Sequence, residues 1–184
     1  MIIAIAGLIG VGKSTVARGL ADRLGYRYLS AGEAFREMAR QRGLSVLELN
    51  RLAESDSSVD REVDGMQAAL ARTGNCVVES RLAGWMVEAD LRAWLRAPLP
   101  VRAARAARRE GMSIEAAERE VRAREESEWQ RYRGVYGIDI TDLSPYQIVL
   151  DTTRWPAEDV VEVIALLAER MVSAQGAAVE TRGG

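Results

Sequence analysis

The sequence predicts an α/β domain, a parallel five-stranded sheet with helices on both faces. Short apolar runs rich in β-branched residues alternate with longer helical stretches, the pattern of a parallel sheet. A glycine-rich loop, GLIGVGKST (7–15), joins the first such run to the first helix. The chain has 184 residues, 48% apolar and 28% charged, which suits one domain with a sizeable buried core.

IIAIA (2–6), bounded by glycine, reads as a buried strand. A helix over 14–24 follows, ended by Gly25, and then a short strand over 26–29. Ser30 has the character of an N-cap, with Glu33 three residues on completing a capping box for the helix AFREMARQRG. Helical patterns over 45–54 and 59–72 precede strands at 75–79 (NCVVE) and 91–95 (LRAWL). Two charged helices, 98–109 and 113–132, flank Gly111. QIVLD (147–151) is the fifth strand, and 156–172 a closing amphipathic helix with Pro156 near its first turn. No repeat or linker divides residues 1–173. The tail, 174–184, lacks periodicity and bulk and is expected to be disordered.

Composition removes several functions. One cysteine, Cys76, and no histidine exclude an intrachain disulfide, the common Cys/His zinc sites and His-dependent hydrolases. A net charge of −2 gives no overall field for a nucleic acid polymer or an anionic membrane. The apolar start lacks the preceding basic residues of a signal peptide, and no run approaches a membrane span. A cytoplasmic monomer acting on small molecules is expected.

Gly7-x-x-x-x-Gly12-Lys13-Ser14 fits the phosphate-binding P-loop, with the required strand before it and helix after it. Backbone N–H groups from Leu8 through Gly10, Val11 and Gly12 to Ser14 and Thr15 would curl around phosphate oxygens, while the helix dipole faces the same anion. Lys13 would reach the β- and γ-phosphates of ATP, and the Ser14 hydroxyl would hold Mg²⁺. Lys13 is the sole lysine beside 24 arginines. A guanidinium is a planar fork, whereas an ammonium is a slim point charge suited to a narrow backbone cradle.

Without a second lysine the chain cannot carry the N-K-x-D base-reading motif of GTPases, and its size argues against a motor or transporter. A small kinase remains. A hydroxyl acceptor would need a carboxylate base, whereas a phosphate acceptor is already ionised and needs cations. Arg36 lies in the helix after the second strand. Arg81 follows the third strand, where a doubly wound sheet opens its crevice. Glu79, at that strand's end, either positions Mg²⁺ through water or is a plain strand-end carboxylate. Arg102, Arg105 and Arg109 share a helix face that is either solvent-exposed or part of a lid over the triphosphate. Arg124, Glu128 and Arg131 also share one face. Asp56 or Asp60 could read a base. Cys76, Trp94 and Trp155 are expected to pack, and Trp85 either packs or stacks on a base. Kinase action on another acceptor (AMP, UMP or a hydroxyl metabolite) and non-catalytic nucleotide binding are the alternatives.

The P-loop, SAGEAFREMAR, NCVVESRLAGWM, ADLRAWLRAPLPVRAARAARREG and REESEWQRYRGVYGIDITDLSPY together resemble the cytidylate kinases of the short archaeal type. The resemblance implies a P-loop kinase fold with a helical monophosphate-binding insertion (about 30–73) and a helical lid (about 102–124). It implies ATP, Mg²⁺ and transfer of the γ-phosphoryl group to CMP or dCMP. Carried over by position, Ser30 and Arg36 would line the monophosphate site and Arg81 would hold the acceptor phosphate, with Asp60 a substrate-binding residue of the helical insertion. Arg124, Glu128 and Arg131 would contact nucleotide and transferred phosphate. Ser80 stands where the pattern expects glycine, and Ile9 where it expects proline.

Overall fold

β1 (Ile2–Gly7) is the central strand of the computed structural model, which describes residues 1–180. After it come α1 (Lys13–Leu24), β2 (Arg27–Ser30), α2 (Ala31–Gln41), α3 (Val46–Ser55), α4 (Ser58–Ala71) and β3 (Cys76–Glu79). The second half contains α5 (Ala83–Met86), β4 (Leu91–Arg96), α6 (Leu99–Glu110), α7 (Ile114–Tyr136), β5 (Ile148–Asp151) and α8 (Ala157–Glu180). The sheet order is β2-β3-β1-β4-β5 with every pair parallel. From β1 the chain serves β2 and β3 on one side, then crosses to β4 and β5. This reversal opens a crevice at the carboxyl ends of β1 and β3.

Alternation along the strands feeds two cores. Ile3, Ile5, Val77 and Leu95 face α1 and α8 on one side of the sheet. Ala4, Ala6, Val78 and Trp94 face α4, α5 and Tyr146 on the other. Cys76 and Trp94 are buried there as expected. Gly84 is required where the Tyr146 ring lies against α5: a Cβ would fall inside the ring's van der Waals surface. A separate small core, with Met38, Leu49, Val59 and Val63, holds α2, α3 and α4 together. Ile9 of the glycine-rich loop sits in the apolar seam between α6 and α7, beside Ala106, Ala117 and Val121.

All five strands fall where the sequence places them, to within a residue or two. Four details differ. Ser30 caps α2 by accepting from the Glu33 N–H, but the Glu33 carboxylate pairs with Arg18 instead of closing a capping box. A complete capping box forms instead at Ser45 and Glu48. Trp155 is 62% exposed, because it follows β5 in a surface turn before α8. α8 continues to Glu180, past the expected end at Val172, through a stretch rich in good helix formers. Of the tail expected over 174–184, residues 181–184 lie outside the described residues. No helix among the described residues is long and apolar enough to cross a membrane.

Candidate active site

The glycine-rich loop takes its shape from backbone demands. Gly10, at φ 80, brings the loop so close to α6 that a Cβ would lie 2.5 Å from the Arg102 carbonyl oxygen. Gly12, at φ 96, has open space beside it, so there the backbone conformation is what favours glycine. α1 then begins with no side chain capping its first turn, which leaves N–H groups for an anion. Lys13 is only 6% exposed, and its Nζ donates to the Leu8 carbonyl at 2.9 Å. Burial, then the charge of Arg81, lower its pKa to about 7 against the opposing pull of Glu79, Glu128 and Glu125.

A loop that turns N–H groups inward presents carbonyls outward, and these need donors. Arg102 supplies one to Ile9 O at 3.0 Å and pairs with Glu125, which accepts from the Ile9 N–H at 3.0 Å. Thr152 Oγ1 donates to Val11 O at 2.9 Å. Arg105 reaches the same carbonyl at 3.4 Å and donates to Thr152 O at 2.6 Å. Of the two arginines expected in a lid, one faces the loop and the other faces solvent. Arg105 props the back of the loop, and Arg109 is exposed and paired with its neighbour Glu110. Their shared face runs from buried loop support to open solvent.

On the inner side Glu79 is buried, and its Oε2 accepts from Ser30 Oγ (2.8 Å), Tyr28 OH (3.0 Å) and Ser14 Oγ (3.3 Å). Burial raises its pKa, but the charges of Lys13 and Arg81 and the Ser30 and Tyr28 hydroxyls outweigh burial and hold it below the ordinary range. Ser80 N–H donates to Ile5 O, and its buried hydroxyl has no partner among the described residues. Arg81 Nε donates to Glu128 at 2.7 Å, and its Nη1 lies 3.4 Å from Gly7 O. Burial raises the Glu128 pKa, and the charge and hydrogen bond of Arg81, with Arg124 and Lys13, bring it down below normal.

Arg131 and Asp60 form a buried pair, at 3.0 and 3.4 Å, with Asn50 accepting a further bond from the guanidinium at 3.1 Å. Both Asp60 oxygens are therefore occupied. Asp56 accepts from the Ser58 N–H at the start of α4 through Oδ1. Arg36 is exposed, with no ionic partner among the described residues, and its Nη1 lies beside Gly32 near the Ser30 hydroxyl. Arg124 is half-exposed and 3.6 Å from Glu120, so of the three-residue face only Glu128 and Arg131 enter the buried cluster. Trp85 packs beside Leu82, Tyr132 and Ile140. A cleft of about 550 Å³ separates α3 from α7, lined by Glu54, Ser127, Arg131 and Gly134 among others.

Sequence reading does not single out Glu125, Thr152, Asp64 or Tyr136. A signal for Glu125 exists: Val121, Glu125, Glu128 and Tyr132 share one face of α7, so its two acids point inward with the apolar residues.

A parallel sheet with a phosphate loop after β1 and cations gathered at the carboxyl ends of β1 and β3 defines a P-loop kinase. More narrowly, the chain belongs to the cytidylate kinase-like family, whose model matches residues 2–154. It is 46% identical over 165 residues to a cytidylate kinase of Pyrococcus abyssi, covering 89% of this chain and 91% of that one. It is 50% identical over 167 residues to a cytidylate kinase of Natronomonas pharaonis, covering 89% and 87%. A shikimate kinase structure from Bacteroides thetaiotaomicron shares the fold, with TM-score 0.64 at 16% identity over 92% of this chain and 98% of that one.

Proposed function

We propose that the chain transfers the γ-phosphoryl group of ATP to CMP or dCMP, giving ADP and CDP or dCDP. One observation carries the choice of acceptor class. The three carboxylates around the phosphate loop are all engaged by donors, so none stands ready to take a proton from a hydroxyl. Ser30, Tyr28 and Ser14 donate to Glu79, the Ile9 N–H and Arg102 to Glu125, and Arg81 to Glu128. An acceptor that is already a phosphate needs no such base. The relatives named cytidylate kinase narrow that acceptor to a cytidine monophosphate.

Among the described residues no three His, Cys, Asp or Glu side chains form a ready-made metal cage. Mg²⁺ in such sites is held by one or two protein oxygens and the substrate phosphates, a donor set that fits Ser14 and Glu79. When bound there it would neutralise charge on the transferring phosphoryl group. The loop N–H groups from Gly7 to Thr15 bind the ATP phosphates, and Lys13 leaves the Leu8 carbonyl for them. Arg81 and Arg36, with Ser30, orient the acceptor phosphate, and Arg81 is itself aimed by Glu128. Arg131, fixed by Asp60, and Arg124 add positive charge on the α7 side, while Arg105 and Arg109 belong to the hairpin that covers the triphosphate. Positioning and charge neutralisation supply the rate.

A coupled assay of ADP release over CMP, dCMP, UMP, AMP, shikimate and gluconate tests the reading. CMP and dCMP are expected to turn over fastest. Fastest turnover with shikimate or gluconate would overturn it, and ATP binding without transfer to any monophosphate would indicate a non-catalytic nucleotide binder.

A further inference from the structure

Asp64 is a buried carboxylate that the reaction described above does not use. It lies one helical turn beyond Asp60 on α4, and the two aspartates differ in what they hold. Arg131 occupies both oxygens of Asp60. Asp64 receives one hydrogen bond, from Tyr136 OH to Oδ2 at 2.8 Å, and its Oδ1 has no donor among the described residues. Tyr136 packs with Trp85 against the cluster of Leu82 and Tyr132. Leu82 follows the phosphate-site residue Arg81 directly. Through the Leu82 cluster and through Asp60, one turn away, the Asp64–Tyr136 pair is tied to Arg81 and Arg131, the two arginines assigned above to the acceptor nucleotide.

We propose that Asp64, held by Tyr136, is the residue that distinguishes cytosine from uracil in the acceptor, through its free carboxylate oxygen. This rests on the reading of the chain as a CMP kinase. The two bases differ where cytosine carries an amino donor at C4 and uracil a carbonyl acceptor. An ionised carboxylate accepts from the amino group and repels the carbonyl. A protonated carboxyl can also donate to the carbonyl, so protonation admits uracil. A buried group left unpaired by the wrong base gives strong rejection.

The groups acting on Asp64 make this protonation accessible. Burial raises its pKa to about 6, the Tyr136 hydrogen bond and Arg131 pull it down, and neighbouring Asp60 pushes it up. Tyr132 lies on the same side of α7, and Arg61 of α4 acts on Tyr136. α5 brings no charged side chain to this region. The sign follows directly. Above about pH 6 the carboxylate is ionised and selects cytosine, and below it selectivity is lost.

The test is the ratio of kcat/KM for CMP to that for UMP, measured from pH 5 to 8. The phosphates of the two acceptors titrate alike, so their ionisation cancels in the ratio. In the unaltered protein the ratio is expected to fall by about tenfold or more as pH drops through the Asp64 transition. Asp64→Asn, whose amide can offer either a donor or an acceptor, is expected to lower kcat/KM for CMP, raise it for UMP and leave the ratio independent of pH. Tyr136→Phe removes a donor that stabilises the ionised form and is expected to move the transition to higher pH. A merely structural role would not produce that displacement, and Tyr136→Phe carries the test if Asp64→Asn fails to fold. CMP turnover with a ratio unaffected by pH and by both substitutions would overturn this inference alone. No CMP turnover at all would overturn the functional reading, and this inference with it.

Discussion

Lys13 shows how tightly one position can be specified by its surroundings. Its ammonium is enclosed by the loop and bonded to Leu8 O, so a guanidinium, wider and planar, has no room there. Lys13→Arg is expected to keep the fold and the net charge, while turnover falls by about 100-fold or more, as when a charge-stabilising group is lost. Near-normal turnover would refute the steric argument. Gly84 is constrained by packing instead. Gly84→Ala sets a methyl group against the Tyr146 ring and is expected to cost about 1–3 kcal/mol, read by chemical denaturation.

At the scale of elements, α6 and α7 support the phosphate loop from behind. The pair of Arg102 with Glu125 meets both the N–H and the carbonyl of Ile9, and Ile9 is itself seated between the two helices. Removing one partner would leave a buried charge and a loop carbonyl without a donor. Arg102→Met is expected to destabilise the protein by about 3–5 kcal/mol. Because the loop loses its support, the affinity for ATP is expected to fall as well, and calorimetry would detect a loop that binds ATP undiminished. This support is the part of the site least legible in sequence. The strands, the phosphate loop and Arg81 could be read because short-range pattern and motif spacing determine them. The partners of Arg105, Arg131 and Asp60 could not, because each lies 47 to 94 residues away and depends on how helices cross. A row of arginines on one helix face carries no mark separating loop support from solvent.

Over the whole molecule, α7 meets α3 and α4 through polar contacts: Ser127 with Glu54, Arg131 with Asn50 and Asp60, and Tyr136 with Asp64. The apolar core of α2–α4 and those lining α7 are separate clusters. A seam of this kind can part without exposing a core, as entry of a nucleotide requires. CMP is expected to slow amide hydrogen exchange in α3, in α4 and at the end of α7, with little change in the strands. Slowing confined to the strands would count against it. The absence of histidine has a consequence for this molecule as a proton reservoir. In most proteins imidazoles swamp buffering capacity around neutrality. Here that background is silent, and Lys13 and Asp64, at about 7 and about 6, stand out against it. A difference titration with ATP in the absence of divalent cations, with the protons shed by the γ-phosphate subtracted, should show protons entering near pH 7 as Lys13 gains anionic partners.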